Sequence, residues 1–293
     1  MAFEKILVPL DGSNLAERAL PYAQTIAKTR GSSILLLSVL GAGEHLERPM
    51  KAYLEAQARQ LESQGISSSV SVVSGSPAEE IVQFADENEA DLTIISSHGY
   101  SGIRRWMLGS VALKVLYGTC VPTLLIKAAS PETSPAKFRK VLLPLDGSPF
   151  SETSLLYAEE LLQGTAAELL LLRVSEPPVV PADRSPAIKP SWEEYRDQLM
   201  AEVRQQASAY LEKVKSGFEQ KGLKARSQTL LGKAVESILE VARAEGVDLI
   251  IMTTHGRTGI SRWVYGSVAN RVMQECHHPI LLIRPCPPEE PKI

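Results

Sequence analysis

The sequence lacks the features that mark several large classes of protein. Its 31 basic residues are balanced by 34 acidic ones, so the formal net charge is −3 and no cationic excess is present to attract nucleic acid or an anionic membrane. Apolar runs such as Ile34–Leu37 and Leu169–Leu172 are far too short to span a bilayer. We expect the first ten residues, MAFEKILVPL, to lead into a buried strand rather than to form a signal peptide.

Cysteine is scarce as well. The three residues Cys120, Cys276 and Cys286 are irregularly spaced, which argues against the disulfide framework of a small secreted domain and favours a cytoplasmic protein. The run Cys276-His277-His278 fits no structural zinc spacing, and we interpret it as a helix end followed by a strand. The sequence therefore predicts no metal site.

An internal repeat decides the architecture. Lys5–Ser13 (KILVPLDGS) recurs 135 positions later as Lys140–Ser148 (KVLLPLDGS). Gly99–Ile126 recurs 157 positions later as Gly256–Ile283, with 14 of 28 positions identical. Identity at this level indicates a duplication, and the 22-residue difference between the two offsets indicates an insertion in the second copy.

The duplication predicts two tandem domains. Their expected bounds are 1–127 for the first domain, 128–137 for the linker, 138–285 for the second domain and 286–293 for a tail. The insertion lies between Val174 and Gly222, and a proline-rich stretch near 176–198 is its best candidate because proline breaks regular structure. Its proline-rich run, Pro177–Pro190, follows a strand whose carboxyl end faces the expected ligand site, so we expect this run to be an extended or mobile segment near the mouth of the second site, where it could act as a lid.

Each copy alternates apolar strands with helices. Ile6–Leu10 is a continuous apolar run, typical of a strand buried on both faces. Asn14–Arg30 has the pattern of one helix that ends at Gly31. Alternation of this length requires right-handed crossovers. It predicts an α/β fold of two open-sheet, Rossmann-like domains, each a five-stranded parallel sheet with helices on both faces.

Ligands of such sheets bind beyond the carboxyl ends of the strands, where the strand order reverses. Two short loops in each copy reach this region. One follows the first strand and carries Asp11 in the first copy and Asp146 in the second; the other follows the second strand, near Val39 and Val174.

A third, glycine-rich loop follows the fourth strand and leads into a helix. Its glycines allow close approach of backbone amides to an anion, and we expect Ser110 to be the N-cap of the helix, with free helical amides behind it. These donors would favour a phosphate without any basic side chain. The residues concerned are Gly99, Gly102, Gly109 and Ser110 in the first copy and Gly256, Gly259, Gly266 and Ser267 in the second.

Other nucleotide and catalytic motifs are absent from the sequence. It contains no GxxxxGK[ST] loop, no GxGxxG after the first strand and no nucleophile elbow. His98 and His255 can be read as general bases, but shaping of the loop is the simpler interpretation, and Trp106 and Trp263 are expected to pack a short helix. No paired acid and base repeats in both copies, so we predict no catalytic residue.

The order of these motifs resembles the universal stress protein family over nearly the whole chain. Each copy has a strand followed by Pro-x-Asp-Gly-Ser, then His-Gly-x(9)-Gly-Ser, then Pro-x-Leu-Leu-Ile. In ATP-binding members of that family the loop signature is Gly-x(2)-Gly-x(9)-Gly-Ser/Thr. Here its last two parts are intact, whereas Ser96 and Thr253 replace the first glycine, and a side chain there narrows the pocket near the ribose.

The resemblance implies an adenine nucleotide α-hydrolase-like fold and a site for ATP or AMP, with or without Mg²⁺. It places the phosphates on the loop glycines and the Gly-Ser amides, the ribose at the aspartates, and the adenine at the backbone of Val39 and Val174. The implied residues are Pro9, Asp11, Val39, Ser96, His98, Gly99, Gly102, Gly109, Ser110 and Val111, and in the second copy Pro144, Asp146, Val174, Thr253, His255, Gly256, Gly259, Gly266, Ser267 and Val268.

Three functions remain open from the sequence. The first is a stress-response sensor or regulator that binds adenine nucleotide; the second is a family member that binds no nucleotide and acts through protein–protein association. The third, an ATP-using transferase or ligase, is least favoured because the loop after the first strand is only Asp-Gly-Ser. The resemblance also implies an intramolecular pseudo-dimer in which Thr123–Lys127 and Ile280–Arg284 pair antiparallel, and it leaves room for a homodimer of whole chains.

Overall fold

The computed structural model of the protein describes residues 3–41, 46–97, 108–128, 130, 136–177, 192–254 and 266–284. The first copy contains, in chain order, β1 (Lys5–Pro9), α1 (Asn14–Glu17), α2 (Leu20–Arg30), β2 (Ser33–Leu40), α3 (Glu47–Glu62), β3 (Ser68–Ser74), α4 (Pro77–Glu87), β4 (Leu92–Ser96), α5 (Ser110–Gly118) and β5 (Thr123–Ile126). The second contains β6 (Lys140–Pro144), α6 (Pro149–Leu162), β7 (Glu168–Ser175), α7 (Trp192–Gln220), β8 (Lys224–Leu231), α8 (Ala234–Ala244), β9 (Leu249–Thr253), α9 (Ser267–Glu275) and β10 (Ile280–Ile283).

The ten strands form one sheet in the order β3-β2-β1-β4-β5-β10-β9-β6-β7-β8. Neighbours within a copy are parallel, as where Ile6 pairs with Ile34 on one side and Leu92 on the other. The predicted α/β fold, with a five-stranded parallel sheet in each copy, is therefore confirmed. The strand order reverses between β1 and β4 and between β6 and β9, so each copy has a switch point at which a ligand crevice is expected.

Helices cover both faces of the sheet, which explains the continuous apolar runs of the strands. Ile6 of β1 packs in a core cluster with Ile26 of α2 and Leu54 of α3. The next residue, Leu7, points to the opposite face and packs in a second cluster with Val115 of α5. Because alternate residues of a strand face opposite sides, only a strand that is apolar at every position can bury both.

The two copies meet at their last strands. Strands β5 and β10 pair antiparallel, with Leu124 opposite Leu281, and this pairing makes one sheet out of two. The predicted pairing of these edges is confirmed. It removes the exposed edge that each five-stranded sheet would otherwise present at this side.

Two cations cross this junction and reach helices of the opposite copy. Lys127 follows β5, and its Nζ donates to the carbonyl oxygen of Met273 in the last turn of α9. Arg284 follows β10 and donates to the carbonyl oxygen of Tyr117 in the last turn of α5. Carbonyls at a helix C-terminus lack intrahelical donors and carry partial negative charge. Each copy therefore stabilises the end of a helix in the other, and burial lowers the pKa of the Lys127 ammonium.

The expectation of a single helix over Asn14–Arg30 is wrong, because the chain forms two helices with a break after Glu17. Pro21 explains the break, since it lacks an amide hydrogen and its ring collides with the carbonyl of the residue four positions earlier. In the second copy Leu156 stands at the equivalent position, and α6 runs without interruption. The predicted helix end at Gly31 is confirmed, with φ of 75° in the left-handed region.

Part of the insertion in the second copy is helical. Leu54 of α3 and its equivalent Leu211 of α7 are both fully buried, which fixes the register between these helices. With that register, α7 begins twelve residues earlier than α3. The end of the expected insertion, residues 192–198, therefore lies in α7, while 178–191, most of the expected lid, lie outside the described residues.

Candidate functional site

The Asp-Gly-Ser turn after β1 holds a carboxylate at the carboxyl end of the sheet. Asp11 Oδ1 accepts hydrogen bonds from the backbone amide of Ser13, at 3.0 Å, and from its hydroxyl, at 2.6 Å. Ser13 Oγ in turn accepts from the amide of Ala16, at 3.2 Å, and caps α1. Gly12 between them has φ of 79°, a conformation that favours glycine.

The second copy builds the same turn. Asp146 Oδ1 accepts from the amide of Ser148 at 2.9 Å, and Ser148 Oγ caps α6 by accepting from the amide of Ser151 at 3.1 Å. Gly147 has φ of 75°. Asp146 is half-buried whereas Asp11 is exposed, so the two equivalent carboxylates differ in their surroundings.

The glycine before α5 brings the start of that helix to the end of β4. The amide of Gly109 donates to the carbonyl oxygen of Ser97 at 2.7 Å, and the amide of Gly266 donates to that of Thr254 at the same distance. The expectation that Ser110 is the N-cap is wrong: Gly109 is the N-cap, and Ser110 is the first helical residue. The extended conformation of Gly109, with φ of −62° and ψ of 147°, turns the chain directly into the helix.

This arrangement leaves backbone donors at the switch point. Within the described residues, neither α5 nor α9 has a side chain that caps its first turn. The first amides of a helix have no intrahelical acceptor, and the helix dipole is positive there. Both copies therefore present a helix N-terminus to the crevice, which is the arrangement that binds phosphate in many proteins.

Ser96 and Thr253 end β4 and β9, and both are buried, with 6% and 7% of their surfaces exposed. Ser96 Oγ has no hydrogen-bond partner among the residues that the structure describes. A buried hydroxyl without a partner is costly. A ligand hydroxyl or a water molecule at this place would relieve that cost.

The second copy has a cavity of about 590 Å³ at its switch point. Its size is in the range of sites for small molecules and cofactors. The wall includes the ends of β6, β7 and β9, the start of α9, and Val203 and Gln206 from α7. The sequence-predicted residues that line it are Pro144, Asp146, Val174, Thr253, Gly266, Ser267 and Val268.

In the first copy the equivalent elements are placed in the same way. Pro9 and Ser96 end the two central strands, β1 and β4, and Val39 lies near the end of β2. Val111 is exposed in the first turn of α5. The other predicted residues of the two long loops lie outside the described residues, namely His98, Gly99, Gly102, Trp106, His255, Gly256, Gly259 and Trp263.

Sequence reasoning missed a tyrosine–glutamate pair that occurs in both copies. Tyr53 Oη in α3 donates to Glu17 Oε1 at 2.8 Å, and burial together with this carboxylate raises the pKa of Tyr53. The equivalent Tyr210 in α7 lies close to Glu152 in α6, and burial and that carboxylate raise its pKa likewise. The recurrence of both residues at the offsets of the repeat was the available signal.

Sequence reasoning also missed a cation in the second site whose equivalent position in the first copy is a serine. Arg173 lines the second cavity, whereas the equivalent residue of the first copy is Ser38. The guanidinium carbon lies 4.9 Å from the centre of the Tyr210 ring. A Cβ placed on Gly147 would overlap Nη1 of this arginine, so the guanidinium lies directly against the Asp-Gly-Ser turn.

No group of three or more histidine, cysteine or acidic side chains with the geometry of a metal site occurs in the described part of the chain. Cys276 is a free, buried cysteine that accepts a hydrogen bond from the amide of His278 at 3.3 Å. Within the described ranges, no helix combines the length and the apolarity needed to cross a membrane.

Comparisons with known proteins agree with this architecture. The model of the universal stress protein family matches residues 2–127 and again residues 137–284. A universal stress protein of Methanocaldococcus jannaschii is 35% identical over 147 residues, which cover 50% of this chain and 82% of that protein. One of Mycolicibacterium smegmatis is 22% identical over 299 residues, which cover 96% of this chain and 97% of that protein.

A solved structure shows the same tandem arrangement. The crystal structure of a universal stress protein from Archaeoglobus fulgidus superposes with a TM-score of 0.75 at 20% identity, covering 97% of this chain and 99% of that one. Since the family model matches both copies, the chain belongs to the universal stress protein family, as a tandem member with two copies of the domain.

Proposed function

We propose that this member of the universal stress protein family binds an adenine nucleotide, ATP or AMP, in both copies and acts as a sensor or regulator in a stress response. The observation that carries the proposal is the cavity of about 590 Å³ in the second copy. All the predicted second-copy residues that the structure describes line it. The lining combines a carboxylate, strand ends and a helix N-terminus, the groups that a nucleotide requires.

In the proposed pose the phosphates lie at the start of α9, against Gly266, Ser267 and Val268. Backbone amides and the helix dipole favour their charge there. The ribose hydroxyls donate to Asp146, and the adenine lies beside Val174 at the end of β7. The first copy binds in the same way with its equivalent residues.

The proposal assigns no catalytic residue and allows at most slow hydrolysis of ATP. Mg²⁺ would accompany ATP through its phosphate oxygens rather than through a cluster of protein ligands. A cytoplasmic location and association of whole chains into a homodimer belong to the same proposal.

Calorimetric titration of ligand-free protein with ATP, AMP and adenosine tests the proposal. Gly109→Val and Gly266→Val should each abolish one nucleotide site, because each puts a branched side chain where the phosphate must approach the backbone. Asp146→Ala should weaken adenosine as well as AMP. Ser110→Ala serves as the mild control, since its helical amide remains. Absence of binding heat for all three ligands at millimolar concentration, with an unchanged melting temperature, would favour protein–protein association instead.

A further inference from the structure

The two copies fill the space beneath the Asp-Gly-Ser turn in different ways. In the first copy, the Cε of Met50 lies 3.6 Å from a Cβ placed on Gly12, so a bulky apolar side chain from α3 occupies this space. The equivalent residue of α7 is Ala207, which is buried and much smaller. In the second copy, Arg173 reaches the turn from the strand instead.

This exchange changes the chemistry of the space. The first copy has the thioether of Met50 at the turn and a small, buried serine, Ser38, on the strand, whereas the second has a guanidinium that belongs to the wall of the cavity. Asp146 and Gln206 belong to the same wall and add a carboxylate acceptor and an amide to its lining. Val203 and Gln206 of α7 belong to the same wall, and Gln206 takes the place that Pro49 of α3 has in the first copy.

The guanidinium is held in place rather than free to swing into solvent. Its carbon lies 4.9 Å from the centre of the Tyr210 ring, a cation–π distance. The Nη1 end lies against Gly147. The ring of Tyr210 packs on one face of the planar guanidinium, and the turn packs on one of its edges. The guanidinium therefore has a fixed orientation for a bidentate contact with an anion before a ligand binds.

We propose that the second copy contains an additional anion subsite, formed by Arg173 and Gln206 beneath the turn of Asp146, which accepts a phosphate carried on the ribose of the bound nucleotide. The inference rests on the proposed function, since Asp146 is the group that meets the ribose there. A carboxylate recognises ribose hydroxyls, and an arginine beside it accommodates a phosphate on one of them. The ligand class is thus an adenine nucleotide with a 2′- or 3′-phosphate in addition to its 5′-phosphate. The first copy, with Ser38 and Met50, prefers nucleotides with a free ribose.

Titration calorimetry on the full chain tests the subsite, with AMP, adenosine 2′,5′-bisphosphate and adenosine 3′,5′-bisphosphate as ligands. One site per chain should bind one of the bisphosphates at least tenfold more tightly than AMP. Arg173→Ser, which installs the residue of the first copy, should abolish that preference, because it weakens bisphosphate binding far more than AMP binding. Arg173→Lys keeps the charge without the planar fork and should give an intermediate preference.

ADP is the control for general electrostatic attraction, because its extra phosphate extends the 5′ chain away from the ribose. Arg173→Ser should leave the ratio of ADP to AMP affinities unchanged. Equal affinity of the wild-type protein for AMP and both bisphosphates would overturn the subsite while leaving the proposed function intact. A bisphosphate preference that survives Arg173→Ser would also overturn it. Failure of every ligand to bind would overturn the proposed function itself, and the subsite with it.

Discussion

Replacing Gly147 with alanine probes the contact between Arg173 and the second Asp-Gly-Ser turn. Gly147 has φ of 75°, so any side chain there is strained, and its Cβ would also overlap the end of Arg173. The first copy provides a matched control in Gly12, with φ of 79° and a Cβ in ordinary contact, 3.6 Å from the Cε of Met50. The two substitutions share the backbone strain and differ in the displaced neighbour.

The expected magnitudes follow from these two contributions. A non-glycine residue in the left-handed region costs about 1–2 kcal/mol, which is the whole expected effect of Gly12→Ala on the free energy of unfolding. In Gly147→Ala the guanidinium must also move away from the ring of Tyr210, 4.9 Å from it. Losing a cation–π contact of this kind costs about 0.5–2 kcal/mol. Gly147→Ala should therefore destabilise more than Gly12→Ala by that amount.

Urea unfolding followed by far-UV circular dichroism measures both costs. The decisive comparison repeats Gly147→Ala in an Arg173→Ser background, where the extra cost should disappear and the two alanine substitutions should become equivalent. Equal costs in the wild-type background, or an excess that persists without Arg173, would refute the placement of the guanidinium against this turn.

Three further predictions concern pH and ligand affinity. Burial lowers the pKa of Lys127, so between the folded-state pKa and 10.5 the unfolded chain binds more protons than the folded one. The free energy of unfolding of the wild type, relative to that of Lys127→Met, should therefore rise as the pH approaches 10.5. Denaturant titrations in which this difference does not change with pH would contradict the prediction. The hydrogen bond from Arg226 lowers the pKa of Glu245 to about 2. The stabilisation of the folded state by the Glu245 carboxylate is therefore complete above pH 4.5 and is lost as the pH falls through 2. Arg226→Gln should reduce this dependence of the melting temperature on acid pH. Ser96→Gly, which restores the family signature, should strengthen AMP binding at the first site by calorimetry, and weaker binding would show that the hydroxyl contacts the ligand.

The fold was predictable because the repeat and the apolar runs encode it locally. After Lys5, every residue of β1 is apolar, and such a strand must be buried on both faces. The break before α2 was harder to predict, since the apolar stripe of the two helices continues across it. Pro21 was the available signal, because proline inside a helix removes a hydrogen bond and collides with the preceding turn.

The sequence allowed prediction of those site positions that require glycine or aspartate. It did not allow prediction of positions where side chains from a strand and a helix fill the same space. The N-cap was misplaced by one residue because serine is a good cap, whereas here the extended conformation and the hydrogen bond to Ser97 fall on Gly109. The subsite of Arg173 depends on a helix residue, Ala207, being small and on a strand residue being large. Only a comparison of the two copies position by position reveals such an exchange, since neither residue is unusual in its own element.

Native mass spectrometry of the protein as purified, followed by identification of the released ligand, tests the central claim most directly. The account predicts a chain that carries up to two small molecules, each released as an adenine nucleotide, with both vacant sites refilled when ATP or AMP is added. A chain that carries no nucleotide as purified and takes up none at millimolar ATP would contradict it.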